Sequence, residues 1–227
     1  MPAPEPVPPF SLAGRYVRLV PLEVGHLDAL LEAATDDRST FTLSSVPWDR
    51  PSMEDYVHRA LDRRRMGEHY PFVTWSRELG RVVGSTRFYD MTAWDWAGVF
   101  AGSERLRRPG AVDVTNIGYT WLHPSAQGSA VNTEAKVLMM AHAFECWQVR
   151  AVRLKTDARN ARSRSAIVKL GCRLDGILRS ERPGTDGTVR DSAFFSMLAA
   201  EWPAHRRQLL QRLGSAAEPA PGPSGRP

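Results

Sequence analysis

Several features are scarce in these 227 residues, and each scarcity removes a class of protein. Cysteine occurs only at Cys146 and Cys172. Neither has a C-x-x-C partner, and no helical H-x-x-x-H pair or Cys/His cluster exists, so no metal is expected and a reduced, cytoplasmic protein is. No stretch approaches the roughly 20 consecutive apolar residues that a membrane span requires, and the N-terminus lacks the charged-then-apolar layout of a signal peptide. A membrane partner is therefore not expected. A G-x-S-x-G elbow, a G-x-x-x-x-G-K-[ST] loop and a G-x-G-x-x-G fingerprint are all missing, which takes the usual support from hydrolase, nucleotidase and dehydrogenase readings.

What remains is a chain with 42% hydrophobic residues, enough for one substantial core. The formal charge is +5, yet the basic residues are spread out rather than gathered into a run. That balance suits an anionic ligand as well as RNA, and without a basic run nucleic acid is not the expected partner. Pro recurs in residues 2–9, and residues 215–227 are Ala, Pro, Gly and Ser with few large apolar side chains. The expected organisation is a disordered tail over 1–11, one domain over 12–214 and a second disordered tail over 215–227.

Within the domain the apolar period changes repeatedly. Residues 16–20 read as a strand; Leu27, Leu30, Leu31 and Ala34 recur at helical spacing. Ser52 precedes Met53, Tyr56, Val57, Ala60 and Leu61, with Glu54 and Asp55 in what would be the first turn of a second helix. Residues 71–76 and 81–89 read as a hairpin across Glu78-Leu79-Gly80. Residues 90–110, with Trp94, Trp96, Phe100, Arg105, Arg107 and Arg108, form a long loop that could carry binding or fold back on the core. A strand over 113–122, a small-residue loop over 124–130 and a helix from Thr133 to about Trp147 form a central unit. A strand over 151–156, a helix over 161–170 ended by Gly171, strands over 173–179 and 190–198, and a last helix over 201–213 complete a mixed α/β sheet rather than an alternating βαβ array.

Gln127-Gly128-Ser129-Ala130-Val131-Asn132 leads into the central helix, whose N-cap is read as Asn132. Unpaired amides at a helix N-terminus can hold phosphate oxygens without a lysine. Every helix has such an end, so this signal alone does not distinguish a site from a cap.

Ile117-Gly118-Tyr119-Thr120-Trp121-Leu122, Asn132-Thr133-Glu134-Ala135-Lys136, Asn160-Ala161-Arg162-Ser163 and Lys169-Leu170-Gly171 together resemble the GNAT N-acyltransferases, in the branch that includes ribosomal-protein N-terminal acetyltransferases. The resemblance runs over about 12–213. It implies a mostly antiparallel sheet flanked by helices, with a splayed central strand forming an acyl-CoA cleft. It further implies that Trp121, Leu122 and His123 pair with the pantetheine arm, and that Gln127, Gly128, Ser129, Ala130, Val131, Asn132 and Thr133 hold the pyrophosphate. Asn160 would bind pantetheine, and Ser163 would lie near the CoA sulfur. The residues themselves also allow a plain helix cap at Asn160 and a solvated serine at Ser163. Ala130 stands at the fourth position of the family's pyrophosphate pattern and Asn132 at the sixth, where small residues are usual. Positive φ at Ala130 would cost about 1 kcal/mol.

The expected reaction is transfer of an acetyl or similar acyl group from acetyl-CoA, or another acyl-CoA, to a primary amine of a protein, metabolite or antibiotic. The branch often has a carboxylate on the central strand, where this chain has Asn116. Asp90, Asp113, Asp175 and Glu181 are then candidates for the base, with Glu181 nearest in register to the branch's glutamate, and any of them could equally be a surface carboxylate. The alternative is a catalytically inactive GNAT-like module associated with RNA or the ribosome, and a homodimer is left open.

Overall fold

A computed structural model of the chain describes residues 9–94 and 112–215. Most of the 90–110 loop, including Trp96, Phe100, Arg105, Arg107 and Arg108, falls outside those residues, as do the first eight residues and 216–227. The strands are β1 (Leu12–Ala13), β2 (Val17–Pro21), β3 (His69–Ser76), β4 (Arg81–Thr92), β5 (Val114–Leu122), β6 (Ala151–Asp157), β7 (Arg173–Pro183) and β8 (Val189–Leu198). The helices are α1 (Leu27–Thr35), α2 (Arg50–Arg65), α3 (Ala130–Ala141), α4 (Ala161–Lys169) and α5 (Trp202–Ser215). All strands join one sheet in the order β1-β2-β3-β4-β5-β6-β8-β7, antiparallel except for the β5–β6 pair.

The sheet carries a core on each face. Val131, Met139 and Met140 of α3, Ile167 and Leu170 at α4, and Trp202, Leu209 and Leu213 of α5 pack on Leu19, Phe72, Phe88, Ile117 and Leu154. Leu30 and Ala33 of α1 and Met53 and Val57 of α2 cover Val73, Val82 and Trp121 on the opposite face. This is the three-layer arrangement expected when a sheet with two apolar faces must cover both.

Two helix starts differ from the sequence expectation for the same reason. α2 is capped by Asp49, whose carboxylate accepts from Ser52 N at 2.9 Å while Ser52 Oγ accepts from Asp49 N at 3.2 Å. Ser52 is therefore the N3 half of a capping box rather than the cap. α3 is capped by Ser129, whose Oγ accepts from Val131 N at 3.2 Å, so Asn132 stands in the first turn. In both cases the first turn precedes the main apolar run and so escapes a count of apolar period. The packed chain also reaches back beyond the expected boundary at residue 12: Phe10 stacks on Tyr70 and His142 at centroid distances of 4.4 and 4.0 Å.

Glu134 of α3 is buried and anchors the start of the sheet. Its carboxylate accepts the backbone N–H groups of Arg15, Tyr16 and Val17 at 2.7, 2.6 and 2.8 Å. Gly14 makes room for it, since a Cβ there would lie 2.3 Å from Glu134 Cδ.

Candidate active site

β5 and β6 pair only at Val114↔Ala151, Thr115↔Val152 and Asn116↔Arg153. From Ile117 onward the β6-facing edge of β5 has no strand partner among the described residues, and the two strands part into a V that opens toward the N-termini of α3 and α4. Backbone groups along that edge are left to pair with something else. The resulting cleft of about 490 Å³ is lined on one side by Ile117, Gly118, Tyr119, Thr120, Trp121 and Leu122, and at its open end by Gln127, Gly128, Asn132, Asn160 and Ser163.

A bulge lies on the β5 wall. Ser85 pairs with Trp121 and Arg87 with Gly118, so Tyr119 and Thr120 both oppose Thr86. Tyr119 takes φ +50°, an uncommon conformation for a bulky residue. Its ring turns to the α2 face, 4.1 Å from the Arg87 guanidinium, whereas Thr120 turns to the α3 face. There Lys136 Nζ donates to Thr120 Oγ1 at 2.6 Å and Thr86 Oγ1 at 2.9 Å. Lys136 is 3% exposed, and burial pushes its amine down to about 7.

At the open end Gly128 takes φ +75°, with nothing within 4 Å of where a Cβ would project. Ala130 is an ordinary first residue of α3, so the strain that an alanine at this position could have brought is absent. Asn132 Oδ1 is buried with no hydrogen-bond partner among the described residues, an uncommon state for a buried amide oxygen. Gln127 Nε2 donates to Leu122 O at 2.7 Å and Thr40 Oγ1 at 2.8 Å. Arg162 donates to Gln127 Oε1 and Thr40 O, which ties the α1–α2 loop over the cleft beside Phe41, Leu43, Ser44 and Ser45.

Residues 17–173 match the acetyltransferase (GNAT) domain. The chain belongs to the GNAT acetyltransferase family. A GCN5-related N-acetyltransferase from Brucella melitensis is 27% identical, with a TM-score of 0.74 over 92% of this chain and 86% of that one. Mycobacterium smegmatis RimJ, solved with CoA-disulfide, shares the fold at 20% identity, with a TM-score of 0.71 over 92% of this chain and 96% of its own. The microcin C7 self-immunity acetyltransferase MccE, solved with acetyl-CoA and AMP, shares it at 13% identity, with a TM-score of 0.65 over 82% of this chain and 93% of that chain. No curated protein is found to match. The mixed, mostly antiparallel sheet with a splayed central strand is the GNAT architecture that the motifs implied.

Within this GNAT domain the expected site residues separate into three groups. Trp121, Leu122, Gln127, Gly128, Asn132, Asn160 and Ser163 meet at the cleft. Ser129, Ala130, Val131 and Thr133 build the helix end behind it, with the Val131 side chain in the core. His123 is tied to the scaffold instead. Its N–H donates to Val83 O at 2.7 Å, and its buried ring lies between Asp36 and Ser125 at 3.0 and 2.7 Å. Asn160 is the N-cap of α4, its Oδ1 accepting from Ser163 N at 2.9 Å, which leaves its Nδ2 and the Ser163 hydroxyl without a partner among the described residues.

The four carboxylates differ sharply. Asp113 accepts from Trp94 N at 2.8 Å and Arg150 Nε at 3.0 Å, and Asp175 accepts from Ser196 Oγ at 2.7 Å. Glu181 lies within β7 rather than beyond it, accepting from Lys155 Nζ and Ser192 Oγ, both at 3.0 Å. Burial alone would raise its carboxyl, but those two hydrogen bonds and the Lys155 charge hold it below the ordinary carboxylate range. Asp90 is the one carboxylate among the cleft's lining residues, exposed, with Oδ2 accepting from Asn116 Nδ2 at 3.0 Å. Asn116, where the branch often has an acid, thus orients an acid on the neighbouring strand. Sequence reasoning missed Tyr119, Arg87 and Lys136; the signal available for Lys136 was its i+4 spacing from Asn132.

Proposed function

We propose that this protein is an acyl-CoA-dependent N-acyltransferase that passes an acetyl-type group directly to a primary amine. The supporting observation is the β5–β6 V with two helix N-termini and the orphaned Asn132 Oδ1 at its open end, a cradle with donors and acceptors for an amide-bearing, phosphorylated ligand. Acetyl-CoA supplies an acyl group activated as a thioester. Gly128 and Asn132 Nδ2, with the α3 N-terminal amides, hold its pyrophosphate in a loop that Gln127 braces, while Asn132 Oδ1 is free to accept from a ligand amide. Trp121, Leu122 and Asn160 hold its pantetheine.

Asp90 takes the proton from the incoming ammonium, so that a neutral amine can attack. Ser163 donates toward the departing sulfur from the first turn of α4, where the helix dipole favours developing negative charge. Direct transfer fits the cysteines: Cys172 is buried and its thiol is pushed up to about 12 by that burial and by nearby Glu201 and Asp175, and neither cysteine lines the cleft.

Calorimetric titration with acetyl-CoA, comparing wild type with Asn132→Asp, tests this assignment. An acid in the first turn suits the helix dipole, so the fold should stand while the added charge repels the pyrophosphate. Binding by wild type that is weakened roughly tenfold or more in the variant is expected. No binding by wild type would return the protein to the non-catalytic alternative.

A further inference from the structure

The face of the V opposite α3 and α4 is cationic, and two of its arginines lack an acidic partner among the described residues. On β6, Val152 and Leu154 belong to the α3-side core, so Arg153 and Lys155 alternate onto the other face, the one on which α2 meets Arg87. Lys155, Arg182 and Arg190 line the cleft there beside Tyr89 and Tyr119. Lys155 is paired with Glu181. Arg182 and Arg190 have no carboxylate within ion-pair distance among the described residues, and Arg190 Nε donates only to Ser192 Oγ at 2.9 Å. The nearby acids are already engaged: Glu181 by Lys155, Asp157 by Arg159. The two arginines also oppose one another: burial and then the Arg182 charge both lower Arg190.

Directly beneath the Tyr119 ring lies Arg87, 3% exposed. Tyr56 stacks at 4.7 Å and His69 Nδ1 lies 3.3 Å from Nη1, while Nε and Nη2 have no hydrogen-bond partner among the described residues. His69 does not supply a negative charge. Burial, then the charges of Arg87 and Arg63, lower its imidazole to about 4, so it is neutral near pH 7. A buried guanidinium with two idle donors and no counterion is costly unless a ligand supplies the missing charge. Tyr119, which covers it, is 45% exposed and sits on the bulge that faces the cleft.

We propose that the acceptor is a primary amine bearing an oxyanion, a carboxylate or a phosphate, a few atoms from the reacting nitrogen, recognised by Arg182 and Arg190 with Arg87 as the cation beneath Tyr119. This rests on the transferase reading above and narrows its acceptor. The geometry suits it: Asp90 stands on the same side of the V to receive the ammonium, so the two ends of a zwitterionic acceptor meet opposite charges. Guanidinium forks match both anions.

The test titrates γ-aminobutyrate, aminopropyl phosphate, aminobutanol and putrescine into CoA-saturated protein, wild type and Arg182→Glu/Arg190→Glu, and separately, with acetyl-CoA as donor, follows acetyl transfer to each amine and release of free CoA. These amines are similar in length and differ chiefly in the terminal group. One or both anionic amines should bind and be acetylated roughly tenfold or more better than the neutral and dicationic ones, the comparison between them choosing carboxylate or phosphate. The double variant should lose that preference while binding acetyl-CoA as wild type does. Equal or better use of putrescine or aminobutanol overturns the proposal, as does acetyl-CoA binding without any binding of an anionic amine. Weaker acetyl-CoA binding in the double variant would assign these arginines to the CoA phosphates and also overturn it. A wild type that binds no acetyl-CoA removes the transferase reading and this proposal with it.

Discussion

Lys136 permits a quantitative test of the site's electrostatics. Its amine falls from the ordinary 10.5 to about 7 because burial disfavours the charged form. The unfolded chain therefore binds a proton that the folded chain does not between those two values. Stability should then rise with pH across this window, the cost of burying the ammonium being fully present below about pH 7 and fading toward the unfolded value. The distance between the two values corresponds to roughly 5 kcal/mol, and the part relieved between about pH 7 and pH 9 is about 2 kcal/mol. Lys136→Met removes the group while leaving Thr86 Oγ1 and Thr120 Oγ1 hydrogen-bonded to each other at 2.8 Å. Urea denaturation of both proteins at the two pH values isolates the effect, because other titrations cancel in the difference. Wild type should gain about 2 kcal/mol on the variant as pH rises. Parallel profiles would mean that the amine is as solvated when folded as when unfolded, and the account of a buried, depressed lysine would be refuted.

Three further perturbations address other parts of the molecule. Glu134→Gln leaves one oxygen to serve three amides and should lower stability by about 2 kcal/mol in denaturant melts. Asp49→Ala should cost about 1 kcal/mol by loss of the α2 cap, with kcat unchanged. Asp90→Asn should reduce kcat roughly a hundredfold while calorimetry shows unchanged acetyl-CoA affinity, if this carboxylate is the base.

The element order was legible because each element buries a face and so writes its period into the sequence. Leu27, Leu30 and Ala34 carried α1, and the alternation around Val152 and Leu154 carried β6. Charged residues that the fold buries were less legible. Glu134 and Lys136 stood in the sequence only as parts of a motif, yet one closes the N-terminal segment onto the helix and the other reaches into the cleft. Only tertiary neighbours distinguish a buried charge from a surface one. The same holds for Glu181 and Asp90: neither spacing nor type separates a carboxylate held by Lys155 from one that faces the cleft.

The bulge on β5 explains why the proposed acceptor side was the least legible. Strict alternation from Ile117 would put Ile117, Tyr119 and Trp121 on one face and Gly118, Thr120 and Leu122 on the other. The structure instead puts Ile117 and Leu122 in the α3-side core with Thr120 against Lys136, and places Tyr119 and Trp121 toward α2 and α1. One extra residue, taken up by Tyr119 at φ +50°, shifts the register of everything after it. It also sets both sides of the cleft at once: Thr120 meets the buried lysine beneath the sheet, and Tyr119 covers the buried arginine above it. A residue inserted into a strand leaves no mark on composition, and because both faces of this sheet are apolar the phase shift it causes does not stand out in the hydrophobic pattern. The face of the cleft that we propose meets the amine was therefore hidden by this irregularity.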